Sequence, residues 1–216
     1  MNVKLNDTPV QAQRVFCVGM NYSEHISELG SKTPDAPVIF MKPSHSLVPE
    51  GQGVRFPIHG KELHFETELV ILIGKEGRVE SESNALSFIK GLTLGFDLTM
   101  RDCQNQLKKA GHPWELSKAF DDSAPLGNFV EYNNSMDIHN IEFSGKVNDQ
   151  LRQQGNSSQM IFPVENIIFY IGQIWKLLPG DIIFTGTPPG VGPLKKSDKI
   201  SAYSSSLQIQ CSWEFI

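Results

Sequence analysis

The segment Leu63-His-Phe-Glu-Thr-Glu-Leu-Val-Ile-Leu-Ile-Gly74 sets two glutamates two residues apart at the polar end of an otherwise apolar run. On a strand, Glu66 and Glu68 point to one face about 7 Å apart. Carboxylates held side by side near a core repel unless something neutralises them. A divalent cation does so, and an all-oxygen site without cysteine suits hard ions such as Mg2+, Mn2+ or Ca2+. The same spacing also describes a solvated strand face. Asp97, in Gly95-Phe-Asp-Leu-Thr-Met100, interrupts a second apolar run, where a free carboxylate is costly. It is a candidate third ligand, or else an acid accepting backbone hydrogen bonds at a strand-to-helix turn.

His25 and Glu28 stand at i, i+3 in Tyr22-Ser-Glu-His-Ile-Ser-Glu28 and share a face if the segment is helical. A carboxylate beside an imidazole orients it and raises its basicity, as activation of a water requires; the alternative is a solvated surface pair. Lys42 and Lys118 each interrupt apolar neighbours, so each either holds an anion or oxyanion or snorkels to solvent. The loop Phe184-Thr-Gly-Thr-Pro-Pro-Gly-Val-Gly-Pro193 lacks the spacing of a P-loop. It reads as a tight turn, or as a loop whose Thr187 and amides meet an anionic ligand.

These residues need elements to position them. Apolar and β-branched runs predict strands at 14–18, 38–41, 63–73, 92–99, 126–130 and 182–185, and the strict alternation from Leu207 to Phe215 predicts a last one. Apolar residues at helical spacing from Val164 to Trp175, between Pro163 and Pro179-Gly180, predict a helix. Another is expected over 101–109, with Thr99 as N-cap, Asp102 as its capping-box partner and Gly111 as the stop. A short helix is expected over 23–29, started by Asn21. The regular alternation of a doubly wound fold is missing, so the expected class is mainly β (α+β) with a few short helices.

The whole chain bounds the function. Its 216 residues are 39% hydrophobic, which fits one domain over 1–216 with a substantial core. A net charge of −5 argues against a nucleic-acid partner, and no apolar run approaches the roughly 20 residues of a membrane span. Three widely spaced cysteines and an N-terminus without a secretory pattern give the expectation of a cytoplasmic protein with reduced thiols.

Taken in order, Val18-Gly-Met-Asn-Tyr-Ser-Glu-His-Ile-Ser-Glu-Leu-Gly30, Phe40-Met-Lys-Pro43, Glu66-Thr-Glu-Leu69, Asp97-Leu-Thr-Met-Arg-Asp102, Ser117-Lys-Ala-Phe120 and Pro179-Gly-Asp-Ile-Ile-Phe-Thr-Gly-Thr-Pro-Pro-Gly-Val-Gly192 resemble the fumarylacetoacetate hydrolase family. The insert Lys108-Lys-Ala-Gly-His-Pro-Trp114 looks most like its acylpyruvate hydrolase and oxaloacetate decarboxylase branch. The resemblance implies a mixed β-sandwich roll, a homodimer, and a Mg2+ or Mn2+ site, with Ca2+ able to substitute, on Glu66, Glu68 and Asp97. It also implies a water-activating dyad of His25 and Glu28, an active-site Lys118, and substrate contacts near Arg101, Gln104, Lys42 and Thr187. Met20 stands where many relatives have Arg. The implied activity is metal-dependent C–C hydrolysis of acylpyruvates (2,4-dioxo acids) to release pyruvate, with oxaloacetate decarboxylation by the same site. The alternatives are isomerisation or tautomerisation of a related dioxo acid and non-catalytic binding of a 2-oxo acid.

Overall fold

The computed structural model describes residues 1–216 except Leu29, Ser31 and Asn134. The chain opens with a hairpin of β1 (Asn2–Leu5) and β2 (Thr8–Gln11), then β3 (Val15–Gly19), helix α1 (Ser23–Glu28), β4 (Val38–Lys42) and β5 (Leu47–Pro49). Next come β6 (Leu63–Phe65), β7 (Thr67–Ile73), helix α2 (Glu82–Ala85), β8 (Ile89–Phe96) and β9 (Thr99–Met100). Helices α3 (Arg101–Ala110) and α4 (Glu115–Lys118) lead to β10 (Ala124–Leu126) and β11 (Val130–Glu131). The remaining elements are β12 (Glu142–Val147), β13 (Gln150–Asn156), helix α5 (Val164–Ile174), β14 (Ile182–Phe184), β15 (Gly192–Pro193), β16 (Lys199–Ser204) and β17 (Ile209–Glu214).

The fold is mainly β. An eight-stranded sheet runs in the order β4-β3-β14-β7-β8-β10-β5, with β11 also paired to β8. It is mixed, because β14 runs parallel to β3 and β10 parallel to β5 while the other pairs are antiparallel. A four-stranded sheet (β13-β12-β16-β17) packs on it, and a three-stranded ribbon (β15-β6-β9) borders it. β7 is buried along its whole length, which is why its sequence is continuously apolar after Glu68. Phe96 of β8 meets Trp213 of β17 edge to face at 5.8 Å, one of the contacts that joins the two larger sheets.

The helix over Val164–Ile174 forms as its periodicity predicts, the one over Arg101–Ala110 forms where it is expected, and Gly111 ends the second in the left-handed conformation at φ 66°. Three local expectations are corrected. The run over 63–73 is two strands, because β6 pairs with β9 and β15 whereas β7 pairs with β8 and β14, and Glu66 sits at the break. Thr99 does not cap α3: its hydroxyl donates to the Asp97 carbonyl, and the Asp102 carboxylate accepts the N–H groups of Lys61 and Glu62. Asn21 does not cap α1; it bonds Phe162 N and O and Thr185 O, pinning the chain before α1 to the segments before α5 and after β14. The end of that helix expected at Leu29 lies outside the described residues.

Candidate active site

The break at Glu66 gathers the acids. Thr67 pairs with Phe96 and Glu68 with Gly95, so Asp97 falls opposite Glu66, and the Asp97 N–H donates to the Glu66 carbonyl at 2.8 Å. Glu66 and Glu68 share one face by the strand period, and Asp97 leaves the end of β8 toward the same side. All three are buried and offer ligand oxygens within 4.8 Å of one another.

Three cations from three other elements face them. Lys118, at the end of α4, donates to Glu66 Oε2 at 2.8 Å and Asp97 Oδ2 at 2.5 Å. Arg101, first residue of α3, bonds Glu66 Oε1, gives Gln104 Oε1 a bond of 2.5 Å, and turns its Nε toward His64 Nδ1 at 3.5 Å. Lys42, last residue of β4, gives its protons to the carbonyls of Leu98, Lys118 and Ser123. Asp97 Oδ1 therefore has the Lys42 charge 2.8 Å away but no hydrogen bond among the described residues, although it is buried. With three protons on an ammonium, Lys42 retains no donor for a ligand, so its geometry is that of a brace behind Asp97 and Lys118.

The carboxylates divide in character. Burial pushes Glu66 up, but Lys118, Arg101 and His25 outweigh it and hold its carboxyl well below the usual range. Burial and then Asp97 and Glu66 push Glu68 well above that range, against the weaker pull of the Gly186 N–H and Lys118. Lys118 is disfavoured by burial, yet Asp97 and Glu66 raise it above its ordinary value. An uncovered Asp97 oxygen and a Glu68 without an ion-pair partner among the described residues form an oxygen donor set that fits a hard divalent cation.

His25 and Glu28 share one face of α1 with Nδ1 and Oε2 3.1 Å apart, and His25 is close enough to Glu66 to lower its carboxyl. The loop after β14 touches both groups: Gly186 N–H donates to Glu68 Oε2 at 2.7 Å, and Gly190 N–H reaches the Glu28 oxygens at 3.2 and 3.3 Å. Thr187 differs from a free ligand-binding hydroxyl. It donates to the Thr67 carbonyl at 2.9 Å and accepts from Gln153 Nε2 at 2.8 Å, which leaves no proton for a substrate.

Residues 14–210 match the family model described as fumarylacetoacetate (FAA) hydrolase, C-terminal. The chain belongs to the fumarylacetoacetate hydrolase family. Among family relatives, the mitochondrial oxaloacetate tautomerase FAHD1 of Bos taurus is 45% identical over 190 residues, 88% of this chain and 86% of that protein. The mitochondrial oxaloacetate decarboxylase of Dictyostelium discoideum is 38% identical over 205 residues, 94% of each. The solved fumarylpyruvate hydrolase from Pseudomonas aeruginosa, in complex with Mn2+ and pyruvate, superposes with a TM-score of 0.93 at 31% identity, covering 100% of this chain and 95% of that one. The family thus includes enzymes with hydrolase, tautomerase and decarboxylase names.

Within this family fold, Gln153, His64 and Tyr22 belong to the site without a sequence signal for it, and Asn21, expected only as a helix start, holds the chain beside it. Gln153 lies in Gln150-Leu-Arg-Gln-Gln-Gly-Asn156, which reads as an exposed polar stretch, yet it is buried. His64 is lowered to about 4 by burial and then Arg101, so its neutral ring can accept from that guanidinium. The Tyr22 hydroxyl is buried without a partner among the described residues, and burial and then Glu68 push its phenol up. Gln153, between Arg152 and Gln154, and Tyr22, between Asn21 and Ser23, have polar neighbours and so no period that marks them as buried, while His64, between Leu63 and Phe65, reads as the outward position of an alternating strand.

Proposed function

We propose that this chain is a metal-dependent enzyme that hydrolyses the C–C bond of acylpyruvates and releases pyruvate. The observation that carries the reading is the buried acid cluster, with its uncovered Asp97 oxygen, beside the His25–Glu28 pair. Glu66, Glu68 and Asp97 would hold Mg2+ or Mn2+, with Ca2+ as a substitute. When bound, such an ion polarises the carboxylate and 2-oxo oxygens of a 2-oxo acid and stabilises negative charge on the pyruvate fragment.

The protein groups divide the remaining work. His25, oriented by Glu28, takes a proton from water, whose oxygen adds to the distal carbonyl carbon. Lys118 gives two protons to Glu66 and Asp97, and its third is available to the oxyanion that forms. Collapse breaks the C–C bond, leaves its electron pair on the pyruvate fragment and frees the second carboxylic acid; a proton on that fragment completes pyruvate. Arg101 and Gln104 orient Glu66, Lys42 braces Asp97, and Thr187 anchors the loop.

The bovine and Dictyostelium relatives favour a second reading, in which the substrate is oxaloacetate. Loss of CO2 reaches the same pyruvate fragment without an attacking water. Tautomerisation needs only a proton moved between C3 and the 2-oxo oxygen, which His25 serves as base. Proton NMR of the Mg2+-loaded protein with acetylpyruvate, oxaloacetate and fumarylpyruvate, repeated after EDTA, separates the reactions by product. Activity that survives complete metal removal overturns both readings, and tight pyruvate or oxalate binding with no turnover supports a non-catalytic binder.

The proposal includes a single domain over 1–216, a homodimer and a reducing cytoplasmic setting. Its support is the exposed apolar side chains Ile58, Leu116 and Leu151 and the free thiols of Cys17, Cys103 and Cys211. No helix among the described residues is long and apolar enough to cross a membrane. Light scattering on the eluting protein tests the dimer.

A further inference from the structure

We infer that Gln153, on β13 of the four-stranded sheet, is a positioning residue that locks the acidic strand and the loop after β14 into one unit, and so sets the divalent-cation affinity of the acid cluster. The inference rests on the metal reading above. β7 has β14 beside it only from Val70 to Leu72, so nearer its start the backbone lacks a strand partner on that side. One backbone bond continues, from the Thr185 N–H to the Leu69 carbonyl at 3.2 Å, and side chains supply the others. The Thr185 hydroxyl donates to the Leu69 carbonyl, the Thr187 hydroxyl donates to the Thr67 carbonyl, and Gln153 Oε1 accepts the Thr67 N–H at 2.8 Å. That N–H belongs to the peptide joining Glu66 to Thr67, so Gln153 holds the backbone between the two glutamates.

The other end of the same amide holds the loop. Gln153 Nε2 donates to Thr187 Oγ1 and to the Pro188 carbonyl, both at 2.8 Å, which uses both of its protons. The loop in turn presents Gly186 N–H to Glu68 and Gly190 N–H to Glu28. One buried side chain therefore joins the acid cluster and the His25–Glu28 pair through a short chain of hydrogen bonds.

Close packing leaves this arrangement little slack. A Cβ at Gly145 would lie 2.0 Å from Thr67 Oγ1, one at Gly155 would lie 2.8 Å from Pro188 Cγ, and one at Gly190 would lie 2.2 Å from the Arg152 carbonyl. Gly190 also has φ +98°, a conformation that favours glycine. The second sheet thus sits directly on both the strand and the loop, and Gln153 is the polar group at that contact.

The test is calorimetric titration of the metal-free protein with Mn2+, compared across the parent, Glu66→Gln, Gln153→Leu and Thr187→Val, with circular dichroism on each. Gln153→Leu keeps the volume and removes all three bonds; Thr187→Val removes one bridge and carries the test if the first variant does not fold. Loss of an outer hydrogen bond to a metal site weakens metal affinity by about 10–100-fold. We expect that range for Gln153→Leu and a smaller weakening for Thr187→Val, with unchanged circular dichroism. At saturating Mn2+, kcat of Gln153→Leu on the substrate that the parent consumes should fall more than KM rises. Mn2+ affinities within about twofold of the parent for both variants would overturn the inference, even if their melting temperatures fell, because Gln153 would then be merely structural. If the parent itself bound no Mn2+, or Glu66→Gln bound it equally well, the metal reading would fail and the inference with it.

Discussion

Replacing Lys118 by methionine tests whether this ammonium neutralises the same oxygens that a cation would use. Lys118 is 4% exposed at its side chain and lies 2.8 Å from Glu66 Oε2 and 2.5 Å from Asp97 Oδ2. Removing one partner of a buried ion pair costs about 3–5 kcal/mol. Here Arg101 still pairs with Glu66 and Lys42 still stands beside Asp97, so the cost belongs at the low end, about 3 kcal/mol. At about 2–4 °C per kcal/mol for a domain of this size, the metal-free variant should melt roughly 6–12 °C below the parent. A cation at about 100 times its Kd returns about 2.7 kcal/mol of stability. In the parent it must share oxygens with the ammonium, whereas in the variant those oxygens are uncompensated. Mn2+ should therefore raise the melting temperature of Lys118→Met more than that of the parent, while acylpyruvate turnover at saturating metal falls by about a hundredfold or more. Thermal melts after EDTA, with and without excess Mn2+, read both effects. A metal-free variant within about 2 °C of the parent, or a larger Mn2+ gain in the parent, would refute the reasoning.

Glu68→Gln should keep the metal-free melting temperature within about 4 °C, because Glu68 has no ion pair among the described residues and glutamine can still accept the Gly186 N–H; calorimetry should nonetheless find no Mn2+ binding. His25→Ala should lower kcat on acylpyruvates by about 10²–10⁴ while leaving Mn2+ affinity within about threefold; an equal loss in both would make His25 part of the metal site. Asp122 sits below its usual range because the Arg55 side chain hydrogen-bonds it, a pull that exceeds the opposing effect of burial. The unfolded chain then takes up a proton first as pH falls, so the pair stabilises above about pH 4 and its contribution disappears as pH drops through the depressed value. In melts from pH 6 to 3, the gap between the parent and Arg55→Ala should narrow toward the acid end, and a constant gap would count against the pair.

The acids were legible because their chemistry is visible in residue type: Glu66, Glu68 and Asp97 interrupt apolar runs, and the strand period alone puts two of them on one face. The break between β6 and β7 was not, since nothing in Phe65-Glu-Thr-Glu68 interrupts the strand pattern. It arises from which strands are available as neighbours, and that is decided over long sequence separations. Capping failed for a related reason. Asn21 and Asp102 have the right types for local caps, but backbone groups distant in sequence offered them partners, a buried carbonyl for Asn21 and two exposed N–H groups for Asp102. The β12–β13 hairpin was missed because its inward positions include Gly145, Gln153 and Gly155, small or polar residues that the neighbouring strand and loop require. Thr187 and Lys42 lie in motifs that imply ligand contacts, yet their donors serve the framework.

The same bonds explain why the net charge of −5 says little about the substrate. Locally, Glu66, Glu68 and Asp97 face Lys42, Lys118 and Arg101, three formal charges of each sign inside one buried cluster. That balance lets the acids stay close in the core, and it fails only at Glu68, whose carboxyl lies well above its usual range. A bound divalent cation would supply the missing counter-charge there, favour the ionised form of Glu68, and leave the cluster with an excess of two positive charges in surroundings that screen them poorly. With the proposed cation in place, a dianion would complete the balance. Oxaloacetate and fumarylpyruvate carry two carboxylates and acetylpyruvate carries one, so the electrostatics favour the first two. The surface charge, screened within about 8 Å at physiological salt, hardly opposes that preference.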